Sequence, residues 1–341
     1  LGEMPQDPAQ ADRARGPAAS AISSLGAFQL SFAAHDPGHP AADQNRIEET
    51  MHEYPASRVG RGILFMLTAV AMFSCMNAVV KLLSADFHSI QIVWARTLGH
   101  FLFVMALFVP QSGFAVLRSR QLGAQFSRSI LQMCSTALYF TALGYLGLAE
   151  ATAIGFLSPM IVTLLAVPML GERIDRNRLA VVCAGFVGVL IVVRPGSAVF
   201  HWASLLILCS STLYATYQVL TRRVAGTDSA QTSAVYSAMV GSVLLSFVVP
   251  FFWTTPTRWL DIALLLGLGV FGGLGHYCVA TAMSSAPANL MSPFQYFQLL
   301  GASLFGYLMF DTLPSGYTWL GASVIVASGL YLGWVESRKR R

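Results

Sequence analysis

The sequence predicts an all-α polytopic membrane protein, and the indications are its low charge, its apolar runs and the placement of its basic residues. Charged residues make up only 11% of the 341 residues, against about 25% in an ordinary soluble domain. Between residues 62 and 337 there are only 20 of them. A segment so poor in charge cannot cover itself with a polar surface in water. A soluble enzyme, a nucleic-acid-binding protein and a disordered chain are therefore all disfavoured.

Ten apolar runs follow Gly60, most of them close to the about 20 residues with which an α-helix crosses a hydrocarbon core. They cover residues 62–83, 89–110, 126–147, 150–169, 179–193, 202–222, 231–252, 260–282, 288–309 and 317–335. Consecutive apolar residues, as at 205–208, favour helices over the alternating strands of an outer-membrane barrel. The fourth and fifth runs are short and adjacent, so nine or eleven spans remain alternatives.

Basic residues divide unequally between the two sets of helix ends, 14 against 3. The larger set is Arg58, Arg61, Arg118, Arg120, Arg128, Arg173, Arg176, Arg178, Arg222, Arg223, Arg338, Lys339, Arg340 and Arg341, and the smaller set is Lys81, Arg194 and Arg258. By the positive-inside rule both termini are cytoplasmic, which requires an even number of spans and supports ten. The predicted location is the cell inner membrane, as a multi-pass protein.

The two ends of the chain and its cysteines predict little chemistry. Residues 1–58 are rich in Ala, Pro, Asp, Gln and Gly, which predicts a disordered cytoplasmic tail, and 336–341 form a basic cytoplasmic tail. Because the chain begins with Leu, the alternative to such a tail is a mis-set upstream start, with the true start at Met51. The cysteines at 75, 134, 183, 209 and 278 fall within predicted spans without CxxC spacing. No disulfide, metal site or cofactor is therefore predicted.

The chain repeats with a period near 140 residues. Thr141–Ala142–Leu143 corresponds to Thr281–Ala282–Met283, and Gly188–Val189–Leu190 corresponds to Gly329–Leu330–Tyr331. Each repeat holds five spans, and this odd number forces the second copy to insert upside down. Inverted repeats are the architecture of many secondary transporters, whose binding site lies near the midplane between the repeats.

Two stretches of the first repeat form a recognisable pattern. Residues 149–172 place Ser-Pro inside a span and Gly-Glu at its end, and 178–196 continue with Gly-Val-Leu and Arg-Pro-Gly. A second copy begins at Ser292 and has Phe310–Asp311 in place of Gly-Glu. This pattern resembles the ten-span drug/metabolite transporters with two EamA-type domains. The resemblance implies EamA repeats at 62–196 and 201–335, with spans 1–4 and 6–9 lining a cavity and spans 5 and 10 at the periphery.

Polar side chains inside the predicted spans are the candidates for substrate binding, because such groups tend to face the bundle interior. Arg96 is the one full charge well inside a predicted span, and its guanidinium could hold a carboxylate or phosphate in a two-pronged way. A structural Arg that reaches outward is the alternative. The whole candidate set is Asn77, Arg96, Gln132, Tyr139, Ser158, Tyr214, Tyr217, Gln218, His276, Gln295, Tyr296 and Gln298.

Spacing and chemistry suggest roles for several of these residues. Tyr214, Tyr217 and Gln218 share one helix face, and Gln295 and Gln298 share another. A face of Tyr and Gln suits a cavity for a small metabolite, although interhelical hydrogen bonds would use the same groups. Either His100 or His276 could carry a proton, since no carboxylate lies deep in a predicted span. The prolines in the fourth and ninth spans, each preceded by Ser, are predicted hinges: Pro159 and Pro293.

The predicted function is secondary transport of a small amphipathic metabolite (amino-acid-like, vitamin-like or drug-like) by alternating access between two inverted repeats. The run at 76–84, followed by 92–96, resembles the S-adenosylmethionine-uptake branch, so uptake of that metabolite or of a nucleotide-like one is an alternative. A non-transporting membrane scaffold or sensor is another. The predicted partners are a small-molecule substrate and the lipid bilayer, with no nucleic acid. Substrate identity, direction, energy coupling and oligomeric state are left open.

Overall fold

A computed structural model describes residues 56–170, 176–197, 200–224, 227–285 and 288–339 of the chain. The predicted N-terminal tail lies almost wholly outside these residues, as do the last two residues of the basic tail. The first half contains α1 (Ala56–Leu83), α2 (Ser89–Ser112), α3 (Leu122–Leu143), α4 (Leu148–Gly155), α5 (Ser158–Leu170) and α6 (Arg176–Val193). The second half contains α7 (Ala203–Val224), α8 (Ala230–Val248), α9 (Trp259–Ser285), α10 (Ala288–Gln295), α11 (Phe297–Phe310) and α12 (Gly316–Lys339).

The prediction of an all-α polytopic membrane protein is confirmed. The described residues form α-helices and short 3₁₀ turns, and six stretches are long and apolar enough to cross a membrane. Two shorter apolar helices, Leu179–Val193 and Gly316–Leu332, add to them. The order of the helices fits ten spans, while the count itself stays a prediction.

Helices of the two halves pack in exchanged pairs. The first helix of one half packs on the third of the other, as α1 on α9 and α7 on α3. The second helix of one half also packs on the third helix of the other, as α2 on α9 and α8 on α3. Equivalent helices of the two halves pack on each other as well, α2 on α8 and α6 on α12. This exchange is the packing expected of two copies related by a pseudo-two-fold axis. The exact repeat boundaries, 62–196 and 201–335, stay predictions.

The fourth and ninth predicted spans are each divided into two helices, where the sequence predicts one continuous helix with a bend. Two residues separate α4 from α5, and Tyr296 alone separates α10 from α11. Pro159 lies in the first turn of α5, where its missing N–H costs no helical hydrogen bond. Pro293 lies three residues before the second break. Each break thus falls beside a proline and not at it, and a hinge role for either proline stays a prediction.

The two broken helices meet at their breaks. Phe156, in the break between α4 and α5, packs edge to face on Tyr296, with ring centroids 5.0 Å apart and an interplanar angle of 78°. Interrupted helices in transporters place unpaired backbone groups and helix ends near the binding site. The contact therefore marks a place where the two halves meet near their predicted symmetry axis.

α2 and α9 approach each other closely at a pair of glycines. A Cβ atom added to Gly99 would lie 2.7 Å from the Cα atom of Gly269, a distance that real side chains essentially never show. Two small residues are thus required for the backbones to come this near. The contact brings the turn before Gly99, which carries Arg96, against the turn after Gly269, which carries Gly272.

One basic residue is misplaced by the sequence analysis. Arg128 is counted there among the helix ends, in the first turn of the span predicted at 126–147, but α3 begins four residues earlier, at Leu122, and Arg128 lies in its second turn. Its side chain is only 1% exposed. Arg96 is therefore not the one charge inside a span. Without Arg128 the division of basic residues is still 13 against 3, so the predicted orientation does not depend on it.

The two ends of the bundle differ in their basic residues and are called the basic end and the opposite end. The basic end holds the connection between α2 and α3, with Arg118 and Arg120, and the last turn of α7, with Arg223. The opposite end holds the last turn of α1, with Lys81, and the connection before α9, with Arg258. Which membrane side each end faces stays a prediction.

Candidate substrate site

Arg96 of α2 is buried, with 6% of its surface exposed. Its Nη2 atom lies 3.4 Å from Nε2 of His276 in α9. A guanidinium has donors only, so Nε2 must accept in this contact and the imidazole carries its proton on Nδ1. The Nε atom of Arg96 is buried and has no hydrogen-bond partner among the described residues.

Aromatic rings from two further positions surround His276. His100, one turn after Arg96 in α2, stacks on it with ring centroids 5.2 Å apart and planes 14° apart. Phe73 of α1 packs against it edge-on, at 5.1 Å. Three helices from both halves of the chain therefore converge on this imidazole. The two histidines that the sequence treats as separate proton carriers are in direct contact.

Tyr214 and Tyr217 of α7 form a second aromatic group. Their rings stack with centroids 5.7 Å apart and planes 24° apart, which agrees with the prediction that they share one face. Both phenols lie near enough to Arg96 to interact with it electrostatically. The guanidinium carbon of Arg128 lies 5.2 Å from the centroid of the Tyr217 ring. The tyrosine pair thus lies within electrostatic range of Arg96, and Tyr217 also lies against Arg128.

Arg128 differs from Arg96 in that each of its nitrogens has a partner. Nε donates to Gln125 Oε1 at 2.7 Å, and Nη1 donates to Thr221 Oγ1 at 3.0 Å. Nη2 donates to Ser237 Oγ at 2.8 Å and to the carbonyl oxygen of Ser233. The side chain joins α3, α7 and α8, and its bonding is that of a structural residue. Arg128 was counted with the helix ends because it lies near the start of its apolar run, and its partners Thr221 and Ser237 are 93 and 109 positions away in the sequence.

Unpartnered buried atoms occur on three neighbouring helices. Besides Arg96 Nε, they are Ser74 Oγ in α1 and Gln132 Oε1 in α3. A fourth, Arg194 Nε, lies at the opposite end of the bundle. Buried polar atoms in folded proteins are nearly always hydrogen-bonded, so each of these atoms calls for an explanation. Arg96 Nε is a donor and Gln132 Oε1 an acceptor, while Ser74 Oγ, which faces Gly301 of α11, can act as either.

Three other candidates gather around the helix breaks. Ser158 Oγ donates to the carbonyl oxygen of Ser211 at 3.3 Å. The ring of Tyr139 lies beside Gly155, within 3.6 Å of where a Cβ would be. Tyr296 packs on the break of the other half through Phe156. These residues lie at the breaks and not in the group formed by Arg96, His276, His100 and Phe73, which is called the Arg96 cluster.

The remaining candidates have separate surroundings. Asn77 is buried in α1, and Gln218 is half-buried in α7. The prediction that Gln295 and Gln298 share a helix face is wrong, because the break at Tyr296 puts them on different helices. Gln295 is exposed and Gln298 is half-buried. A substrate-binding role for any of the twelve candidates stays a prediction.

Comparison with known proteins adds a family and several relatives. Residues 60–194 and 201–333 each match the EamA-like transporter family. The riboflavin transporter of Vibrio cholerae is 30% identical over 307 residues, covering 82% of this chain and 95% of that protein. The riboflavin transporter of Rhizobium johnstonii is 29% identical, covering 84% and 95%.

Two further similarities are more distant. The S-adenosylmethionine uptake transporter of Rickettsia bellii is 26% identical, covering 81% of this chain and 94% of that protein. A solved crystal structure at 18% identity covers 82% of this chain and 98% of its own, with a TM-score of 0.56. At that identity the structural similarity concerns the fold alone.

Proposed function

The chain belongs to the EamA-like transporter family, and we propose that it carries a neutral, planar heteroaromatic metabolite, with riboflavin as the first candidate. Family membership makes it a multi-pass membrane transporter of a small molecule and not an enzyme, and it confirms the resemblance drawn from the sequence. The proposed mechanism is alternating access between the two halves, in the inner membrane.

One observation carries the proposal: the unpartnered Nε of Arg96 belongs to a side chain within electrostatic range of the stacked pair Tyr214 and Tyr217. A flat ring can stack on a tyrosine, at about 0.5–1.5 kcal/mol beyond the area it buries. A ring carbonyl could accept from Arg96 Nε, which has no partner among the described residues. A heteroaromatic ring bearing a carbonyl group combines the two features.

Charge distinguishes riboflavin from S-adenosylmethionine, the main alternative. Two buried guanidiniums, those of Arg96 and Arg128, lie near the tyrosine pair. The acidic side chains that the structure describes lie in connections or in terminal turns: Asp86, Glu150, Asp228, Asp261 and Asp311. S-adenosylmethionine carries a sulfonium, an ammonium and one carboxylate, so its net charge is positive. Its carboxylate could pair with one guanidinium, but its two cationic groups would meet no described acidic side chain beside the buried guanidiniums. Riboflavin is uncharged, and the relatives with the higher identities are riboflavin transporters.

Counterflow in proteoliposomes tests this proposal without assuming an energy source. Vesicles loaded with unlabelled riboflavin should transiently accumulate labelled riboflavin from outside, and protein-free vesicles should not. Excess S-adenosylmethionine should compete poorly. Counterflow driven by S-adenosylmethionine, with none by riboflavin, would overturn the substrate assignment and leave the transporter assignment standing.

A matched pair of variants links the activity to the tyrosine pair. Tyr217→Phe keeps the ring and should retain most counterflow, whereas Tyr217→Ala should reduce it by about tenfold, corresponding to the loss of one aromatic contact. Tyr145→Ala removes an exposed tyrosine at the opposite end and should behave as wild type. Equal effects of the alanine changes at 145 and 217 would contradict a stacking role for the pair.

A further inference from the structure

A carboxylate joins the two halves of the chain at the basic end. Asp228, in the connection between α7 and α8, accepts hydrogen bonds from Ser119 Oγ at 2.5 Å and from the backbone N–H of Arg120 at 2.8 Å. Gln125 Nε2 donates to it at 2.9 Å. The three donors belong to the first half and the acceptor to the second. These contacts are called the basic-end bridge.

A further contact and a cavity lie beside this bridge. Ser112 Oγ, at the end of α2, donates to Gln231 Oε1, at the start of α8, at 3.1 Å. Both residues line a cavity of about 290 Å³, together with Arg118, Arg120 and Asp228. The bridge is therefore an open, polar contact between loops and not a tightly packed apolar seal.

The opposite end has a bridge of the same kind. Arg258, in the connection before α9, donates through Nη2 to Asp86 at 2.7 Å and holds Asp261 with two hydrogen bonds of 3.0 Å. Gln91 and Thr254 exchange two hydrogen bonds of 2.8 Å, one in each direction. Asp86 and Gln91 belong to the first half, and the other three residues belong to the second. These contacts are called the opposite-end bridge.

The two bridges have equivalent places in the two halves. In each, the connection between the first and second helices supplies a carboxylate, Asp86 or Asp228. The connection between the second and third helices of the other half supplies donors, Ser119 and Arg120 to Asp228 and Arg258 to Asp86, and Gln125 adds one from the first turn of α3. The glutamines agree as well, since Gln91 and Gln231 both lie in the first turn of the second helix of their half. An exchange of the two halves about a pseudo-two-fold axis would convert one bridge into the other.

We propose that the basic-end bridge and the opposite-end bridge are the two gates of this transporter, which open in alternation. Both are formed in this structure, which corresponds to a state closed at both ends. Opening one end requires its bridge to break, while the equivalent bridge at the other end holds. The inference depends on the protein being a transporter, and it does not depend on which substrate is moved.

The contacts are weak enough to break in each transport cycle. The side chains of Arg258 and Asp86 are 64% and 57% exposed, and such exposed ion pairs contribute little in water and are screened by salt. At the basic end, partial burial acts to raise the pKa of Asp228. Hydrogen bonds from Ser119, Gln125 and the backbone outweigh it and lower the pKa below its usual value. The carboxylate is therefore charged at neutral pH, and protonation weakens this bridge only when the pH falls below that lowered pKa.

Labelling of a buried thiol from each side of the membrane tests the proposal without any substrate. The reporter is Gln132→Cys, chosen because Oε1 of Gln132 has no partner to lose among the described residues. A membrane-impermeant maleimide is added to right-side-out or inside-out vesicles. Peptide mass spectrometry then reads modification at position 132 alone, so the native cysteines can stay.

Each bridge is broken by a change that keeps side-chain volume. Asp228→Asn replaces one carboxylate oxygen of Asp228 by an amide NH₂, which cannot accept the hydrogen bonds of the bridge. This variant should raise the labelling rate about three- to tenfold from the basic-end side only. Asp86→Asn should raise it from the other side only. Ser119→Ala removes one donor and should act like Asp228→Asn, but less strongly.

The control is Asp311→Asn, which neutralises an exposed carboxylate at the same end as Asp86. Asp311 has φ 49°, a conformation that Asn tolerates well, and this variant should label as the parent does. The proposal would be overturned if the labelling rate at position 132 stayed unchanged in both Asp228→Asn and Asp86→Asn. It would also be overturned if either variant were labelled faster by an equal factor from both sides. Monodisperse elution and an unchanged melting temperature separate these outcomes from misfolding, and Ser119→Ala gives a milder variant if Asp228→Asn fails to fold.

Discussion

Two buried arginines of the first half, Arg96 and Arg128, have opposite surroundings in the structure. Arg96 leaves its Nε atom without a described partner, whereas every nitrogen of Arg128 donates a hydrogen bond. An unpartnered buried donor costs about 1–3 kcal/mol, and the same amount is lost when a bonded partner is removed. The two residues should therefore respond differently to the same substitution.

We expect Arg96→Met to reduce transport at least about 100-fold while leaving the melting temperature unchanged or slightly raised. The reason is that an apolar side chain of similar length removes the proposed ligand contact, while the loss of the 3.4 Å contact to His276 is offset by the removal of an uncompensated donor. Counterflow and thermal unfolding in detergent measure the two effects. A loss of both transport and stability would instead assign Arg96 a structural role.

Arg128→Met should lower the free energy of unfolding by about 2–4 kcal/mol, because it leaves several buried acceptors without a donor. Thr221 Oγ1, Ser237 Oγ and the Ser233 carbonyl oxygen lose a hydrogen bond together. The measurement is a melting curve beside that of Arg96→Met. A similar melting temperature for the two variants would contradict the assigned roles.

At the scale of helices, the contact between α2 and α9 controls the geometry of the Arg96 cluster. Gly269→Ala should reduce transport and cost about 1–3 kcal/mol of stability, since its Cβ would overlap the Gly99 backbone and force the helices apart. Gly267→Ala is the matched control, because its Cβ would meet only the Phe271 ring at an ordinary 3.6 Å. Transport and melting temperature are compared in both. Equal losses would show that helix propensity, and not the close approach, is responsible.

Helices are also where sequence reasoning was least accurate. Apolar runs located α1, α2, α8 and α9 within a few residues, because burial in lipid demands an uninterrupted apolar segment. The breaks after Gly155 and Gln295 were missed, because an apolar run continues beyond each break and hides it. Packing of Phe156 on Tyr296 at the breaks is a tertiary contact that no local pattern reports.

For the whole molecule, the distribution of basic residues predicts that the basic end and both termini face the cytoplasm. A reporter active only in the cytoplasm should be active when fused after Arg341 or inserted near Arg120, and inactive when inserted near Pro256. Activity at Pro256 with none after Arg341 would invert the predicted orientation. The gates proposed above would keep their reciprocal behaviour and exchange sides.

The sequence by itself determined the class of the protein: a polytopic α-helical membrane transporter with two similar halves. Those conclusions rest on composition, on the lengths of apolar runs and on a family pattern, which are properties of the chain read in order. Only the tertiary structure decided which polar residues meet. His100 and His276 are 176 positions apart and stack directly, while Gln295 and Gln298 are three apart and lie on different helices. The reason is physical: a side chain's partners depend on helix packing and on where helices break, and these arise from contacts distant in sequence.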